Sequence, residues 1–372
     1  MKKTFNVGSL FAGVGGFDLG LEQSENETKK FKIVFANEID KYASATYSKN
    51  FNVPLIEGDI NLLLDPASSK TNEEKEYYQS KRHILFDNEV DVLVGGFPCQ
   101  SFSIAGERKG FEDERGNLFW SIVETIKQLG EHSKKPRVLF LENVKNLKSH
   151  DKGNTYQVIK SELEKLGYIV KEEVLNTMHF SNLPQTRERI YIMGFLNKED
   201  SDKFTFYDEL DKYRNDKSVE ERLNDIESIF DKNITPENHN QYFYTKEKYP
   251  HYFKDKEEGI NLENSIIEKN QFYQIRRGMY VRHNKSNACP TLTANMGTGG
   301  HNVPLILTDH GIRKLTPEEA FKLQGFPINN GYKLPTKFNG RVYPNGQLYK
   351  QAGNAVSVDI IKLIGERILE VL

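Results

Sequence analysis

Four side chains in this sequence have the types and the surroundings to do chemistry together: Cys99, Glu142, Arg187 and Arg189. Cys99 follows the run DVLVGGFP, an apolar stretch closed by two glycines and a proline. Such a run reads as a strand buried on both faces, and in open α/β sheets ligands bind where those strands end. Its position makes Cys99 a candidate nucleophile. The plain alternative is an inert packed thiol, the commoner fate of an unpaired cysteine. Glu142 ends a second run of this kind, Val138 to Leu141, so its carboxylate should reach the same edge and lie near Cys99. Arg187 and Arg189 flank Glu188 just before a last apolar strand, Ile190 to Phe195. They fit either a surface salt-bridge cluster or a pair of cations that hold an anion or a carbonyl.

The elements that must position these groups form an α/β pattern. Thr4 to Leu10 reads as a strand that runs into the glycine-rich turn Phe11-Ala12-Gly13-Val14-Gly15-Gly16 and then a helix. Glycines let a backbone approach a ligand closely, and a helix start offers free N–H groups. The next strand, Phe31 to Ala36, delivers Glu38 about twenty residues later, the spacing at which an acid reaches a ribose hydroxyl. A short third strand ends in Asp59, either an acceptor for an adenine-type amino group or a helix cap. After Ser103, the segment IAGERKGFEDERGN reads as a lid-like loop, and helices are expected over 118–129 and 153–166. Thr316, Pro317 and Glu319 form a clean helix start, and residues 351–357 lead into a C-terminal amphipathic helix.

The length allows two domains, or one large domain with an insertion. Net charge is −2, which argues against a protein that coats nucleic acid indiscriminately. Residues 196–270 carry 12 Lys/Arg against 19 Asp/Glu, and their apolar periodicity weakens. Residues 271–314 reverse this, with Arg276, Arg277, Arg282, Lys285, Arg313 and Lys314 against Asp309 alone. Such a stripe suits a polyanion, or it is a solvated surface of mixed sign. Within it, Pro290 to His301 is rich in glycine, threonine and serine-sized residues, suited to close approach to phosphates or to tight turns. The two cysteines, Cys99 and Cys289, make no disulfide framework and are too few for a cysteine-based zinc site. No apolar run is long enough for a membrane helix, and the N-terminus reads as a strand and turn, not a signal peptide.

Taken in order, the strings Phe11–Gly16, Asn37-Glu38, Gly58-Asp59-Ile60, Gly96-Phe97-Pro98-Cys99-Gln100, Glu142-Asn143-Val144, Gln185-Thr186-Arg187-Glu188-Arg189, Leu315–Pro327 and Gln351-Ala352-Gly353-Asn354 resemble the DNA (cytosine-5) methyltransferases, especially the bacterial restriction–modification type. The resemblance spans the whole chain. It departs at Ser9, where many relatives carry an acid. It implies a Rossmann-like methyltransferase sheet in residues 1–195, a smaller mixed target recognition domain in 196–311, and a return to the catalytic domain in 312–372. It implies S-adenosyl-L-methionine held by Phe11, Ala12, Gly13, Gly15, Gly16, Glu38, Ile39, Asp59, Ile60, Pro98, Leu118, Asn354 and Ala355, with no metal. Cys99 would add to carbon 6 of a flipped cytosine. Glu142 would hold the ring N3 and amine, and Arg189 the carbonyl, with Arg187 in support. Duplex DNA would meet Gln100, Ser103, Arg276, Arg277, Arg282, Thr293, Gly297 and Gly299. A monomeric enzyme paired with a restriction endonuclease follows from the same resemblance, and the two unpaired cysteines make a reducing, cytoplasmic setting the default expectation. The rivals are an RNA cytosine-5 methyltransferase and a silent DNA-binding relative, the latter disfavoured by the presence of Cys99, Glu142 and Arg189.

Overall fold

The computed structural model describes residues 2–97, 118–254, 259–284, 286, 288–298 and 302–372. Its largest element is a seven-stranded sheet made of β1 (Lys3–Leu10), β2 (Lys29–Glu38), β3 (Leu55–Glu57), β4 (Val92–Gly96), β5 (Val138–Val144), β6 (Ile169–Asn176) and β7 (Glu188–Phe195). The strand order is β3-β2-β1-β4-β5-β7-β6. The first five strands run parallel. β7 lies antiparallel against β5. The order turns back between β1 and β4, so the carboxyl ends of these two strands flank a topological switch point, where such sheets bind ligands.

The first helices start at a glycine or at capping side chains. α1 (Gly16–Glu22) starts from Gly15, whose φ of 83° is the left-handed conformation that favours glycine. α2 (Lys41–Asn50) is capped by Asp40, α3 (Ile60–Leu64) by Asp59 and α4 (Asn72–Phe86) by Thr71. α5 (Leu118–His132) and α6 (Asn154–Lys165) complete the set. Leu63, Leu85, Ile122, Ile126, Ile159 and Leu163 from these helices share one buried cluster with Leu93, Leu139 and Ile192 of the sheet. Elsewhere in the same unit, the Phe17 ring meets Phe140 edge-on, and the Ser24 hydroxyl donates to the carbonyl of Lys362.

The chain separates into two compact units. The first gathers Met1–Leu175, Glu188–Tyr213 and Ile360–Leu372, the second Asn176–Arg187 and Arg214–Asp359. These lines differ from a boundary at 195, and the reason is aromatic. The Phe204 ring packs tilted against Phe195 and edge-on against Tyr207, and Phe206 packs edge-on against Tyr213, which binds the segment after β7 to the sheet's own unit.

The second unit contains a four-stranded sheet of β8 (Tyr273–Arg276), β9 (Tyr280–His283), β10 (Leu305–Thr308) and β11 (Gly311–Lys314), in the order β9-β8-β10-β11. Tyr244, Tyr252, Leu262, Tyr273, Ile275 and Leu305 form its core. α7 (Pro317–Lys322) has the expected capping box, Thr316 with Glu319. Glu319 is also fully buried and pairs with Arg313 at 2.6 Å. Residues 351–354 end one helix, α8 (Asn345–Asn354), and after residues 355–357 the expected C-terminal amphipathic helix follows as α9 (Val358–Val371). Gly353 is required there because a Cβ would lie 2.2 Å from the Thr293 carbonyl carbon. Among the described residues, no helix is long and apolar enough to cross a membrane.

Candidate active site at the carboxyl edge of the sheet

In the first unit, the turn after β1 and the ends of β2 and β3 are tied into one piece. Phe11 and Gly13 have φ of 54° and 58°, so the backbone of the turn coils in the left-handed region. The Gly13 N–H donates to one oxygen of Glu38 at 2.7 Å, and the Asp40 N–H donates to the other at 2.8 Å. Burial raises the Glu38 pKa above its ordinary value, and these backbone donors pull it partly back. Each carboxylate oxygen has a second lone pair, so capacity remains for a hydroxyl donor. Asn37 donates to the carbonyls of Ile56 and Gly58, which holds the β3 end against the β2 end. Asp59 caps α3 by accepting from the Asn61 N–H, and its own N–H donates to the Tyr78 hydroxyl. Ile60 is buried, whereas Ile39 is 65% exposed beside Glu38. A left-handed glycine turn, a carboxylate with spare acceptors and an uncovered apolar side chain thus lie together at this edge, chemistry that can accept hydroxyl donors and offer an apolar surface to a flat ring.

The neighbouring edge carries the acid and the cation. Glu142 lies opposite Gly96 in the β4–β5 ladder, so β4 and β5 deliver their ends at one level. In the antiparallel β5–β7 ladder, Glu142 faces Tyr191 and Val144 faces Arg189. Glu142 and Arg189 are thus diagonal neighbours on one face. Their side chains meet, Arg189 Nε to Glu142 Oε1, at 3.0 Å, both nearly buried. Asn143 points the other way and donates to the Phe97 carbonyl at 2.7 Å, which fixes the strand where it leads into Pro98-Cys99-Gln100. Asn143 was not singled out from sequence, although the Glu142-Asn143-Val144 string contained it. Leu118 is the first residue of α5. Pro98, Cys99, Gln100 and Ser103, with the expected lid, lie outside the described residues, as does Gly299.

The remaining expected residues sit in the second unit. Arg187 is buried, and its guanidinium donates to the carbonyls of Leu292, Ala355 and Gly353 at 2.8, 2.7 and 3.2 Å. Arg187 and Arg189 are two residues apart yet serve different partners. Asn354 is exposed at the end of α8, and Ala355 is buried beside it. Thr293 donates to the Asn295 side chain. Gly297 is packed against α8, where a Cβ would lie 2.2 Å from the Gly346 carbonyl oxygen. The basic stripe is shorter than the sequence suggested. Arg313 is consumed by Glu319, and Lys314 is half-buried among the rings of Tyr242 and Tyr349, with its pKa lowered by burial. Arg276, Arg277 and Arg282 remain exposed. Cys289 is fully buried, and burial pushes its thiol pKa well up, as a packed structural thiol requires.

A sequence profile of the C-5 cytosine-specific DNA methylases matches residues 5–370. The chain belongs to this family. Among its relatives, the type II methyltransferase M.Bsp6I of Bacillus sp. (strain RFL6) is 45% identical over 365 residues, covering 97% of this chain and 98% of that protein. The type II methyltransferase M.HpaII of Haemophilus parainfluenzae is 34% identical over 385 residues, covering 100% of this chain and 91% of that protein. Among solved structures, the S. pombe Dnmt2 methyltransferase aligns with a TM-score of 0.60 at 16% identity, over 98% of both chains. At that identity the likeness supports the C-5 methylase fold alone.

Proposed function

We propose that this C-5 methylase transfers a methyl group from S-adenosyl-L-methionine to carbon 5 of a cytosine flipped out of a specific short sequence in duplex DNA. The observation that carries the reading is the Glu142–Arg189 pair at the end of β5, beside the strand end that Asn143 ties down ahead of Cys99. S-adenosyl-L-methionine supplies an electrophilic methyl on a sulfonium. Glu38 suits its ribose hydroxyls, Ile39 and Ile60 the faces of its adenine, Asp59 the adenine amine, and the turn 11–16 its amino acid portion. Pro98, Leu118, Asn354 and Ala355 complete the contacts in this reading.

Carbon 5 of cytosine is too weak a nucleophile to accept the methyl unaided. Addition of the Cys99 thiolate to carbon 6 makes carbon 5 the nucleophilic end of an enamine, splitting one hard step into easier ones. Glu142 holds N3 and the exocyclic amine and favours protonation of the ring as sulfur adds. Arg189 binds the carbonyl oxygen and keeps Glu142 oriented; Arg187 acts through the backbone it holds. Once carbon 5 carries the methyl, loss of its proton and departure of Cys99 restore the ring and the thiolate. Extraction of the base costs about a few kcal/mol, met by contacts from the recognition region, which we assign to the part of residues 196–311 that follows Tyr213. Protection of cytoplasmic DNA from a cognate restriction endonuclease is the biological role this implies.

The test is methyl transfer from tritiated S-adenosyl-L-methionine to duplex DNA and to tRNA in parallel, followed by bisulfite sequencing of DNA from expressing cells. Label in duplex DNA with one protected cytosine context supports the proposal. Label confined to tRNA, or to neither, overturns it.

A further inference from the structure

The hairpin β8–β9 separates its side chains cleanly by face. Tyr280 pairs with Arg276, Val281 with Ile275, Arg282 with Gln274 and His283 with Tyr273. Successive side chains alternate across a sheet. Tyr273, Ile275 and Val281 pack into the core of the second unit. Gln274, Arg276, Tyr280 and Arg282 therefore share the opposite, outer face. At the tip, Arg277 and Gly278 have φ of 54° and 68°, and the Met279 N–H donates back to the Arg276 carbonyl. This tight turn leaves Met279 and Tyr280 at 74% and 55% exposure, which puts two large apolar side chains in water on neighbouring residues. None of Arg276, Arg277 and Arg282 has a carboxylate partner among the described residues, although most other arginines do.

We propose that, within the recognition region, Gln274 on this outer face and Met279 and Tyr280 at its tip are specificity-determining residues, with the arginines beside them as phosphate anchors. The proposal rests on the duplex-DNA reading above and deepens it. A two-stranded β-ribbon fits the major groove, which is about 12 Å wide. Gln274 carries an amide that can pair in two places with an adenine edge, and Met279 and Tyr280 offer apolar contact for a thymine methyl. Three uncompensated guanidinium groups around them supply the complementary charge for a phosphate backbone. An apolar tip ringed by cations suits a charged polymer with apolar base edges better than it suits an apolar protein partner.

The experiment compares methyl transfer by the full-length protein and its variants on a duplex library in which each position of the methylated site is changed singly. Wild-type preference for one site is measured first; its absence would refute the proposed function itself. Gln274→Ala and Tyr280→Ala with Met279→Ala are expected to compress the ratio of cognate to singly changed sites by about tenfold or more at one or two base pairs. Arg276→Gln and Arg282→Gln are expected to weaken all sites alike and to lower the salt slope of binding by about one each. Thermal unfolding should be unchanged for the exposed Arg276, Met279, Tyr280 and Arg282 and nearly so for the half-buried Gln274. If the Gln274 and Met279/Tyr280 variants keep the wild-type ratio at every position, the assignment is wrong, whether or not overall activity falls.

Discussion

Asp18 offers a test of the region behind the glycine turn through its pH dependence. It lies in the first turn of α1 and is fully buried. Burial raises its pKa from 3.8 to about 6, with the Ser9 and Tyr47 hydroxyls pulling it partly back and Glu22 adding to the rise. The position where many relatives carry an acid, Ser9, thus lies beside an acid supplied from the following helix. A raised carboxyl means the folded protein keeps a proton that the unfolded chain releases. The stability it contributes is fully present below pH 3.8 and is lost as pH rises through about 6. The gap corresponds to ~3 kcal/mol in total, of which roughly half falls between pH 5 and 8. Glu22 and Glu38 are also raised and act in the same direction, so the wild-type curve alone does not isolate Asp18. Asp18→Asn keeps the shape and removes the titration. Urea unfolding followed by circular dichroism at pH 5 and pH 8 should show the wild type losing about 1.5 kcal/mol more than Asp18→Asn over that interval. Parallel losses in the two proteins would refute the reasoning.

Three further outcomes follow from the same geometry. Arg187→Met leaves three buried carbonyls without their donor and should cost about 3–5 kcal/mol in urea unfolding; Arg187→Lys should rescue little of it, since an ammonium lacks the fork that reaches several acceptors. Glu142→Gln removes the partner of Arg189 and should lower kcat by about 10²–10⁴ without changing the affinity for S-adenosyl-L-methionine measured by calorimetry. Alkylation read by mass spectrometry should modify Cys99 in the native protein and reach Cys289 only after denaturation, and Cys289→Ala should retain activity.

The strands were legible because each parallel, doubly buried strand is an apolar run closed by a glycine or an acid. β4 and β5 announce themselves this way, and the ladder confirms that Gly96 and Glu142 end level. The caps at Asp59 and Thr316 were legible because capping chemistry is local. What depends on distant partners was not. The antiparallel placement of β7 between β5 and β6 leaves no mark on its own apolar pattern. The different fates of Arg187 and Arg189 depend on carbonyls more than a hundred residues away in sequence for one and on Glu142 for the other. Arg313 looks like any surface cation until its buried partner Glu319 is known. The segment after β7 read as the start of a separate region because Phe204, Phe206 and Tyr207 announce a need for a core without saying which one; Phe204 packs on Phe195 of β7.

The central claim is that Cys99 attacks carbon 6 of a cytosine that Glu142 and Arg189 hold. Duplex DNA with 5-fluorocytosine at the methylated position tests it most directly, because fluorine replaces the proton that must leave before the thiol can depart. With S-adenosyl-L-methionine present, the account predicts a denaturation-resistant protein–DNA adduct, mapped by peptide mass spectrometry to Cys99 and absent in Cys99→Ala. An adduct of undiminished yield in Cys99→Ala would contradict it.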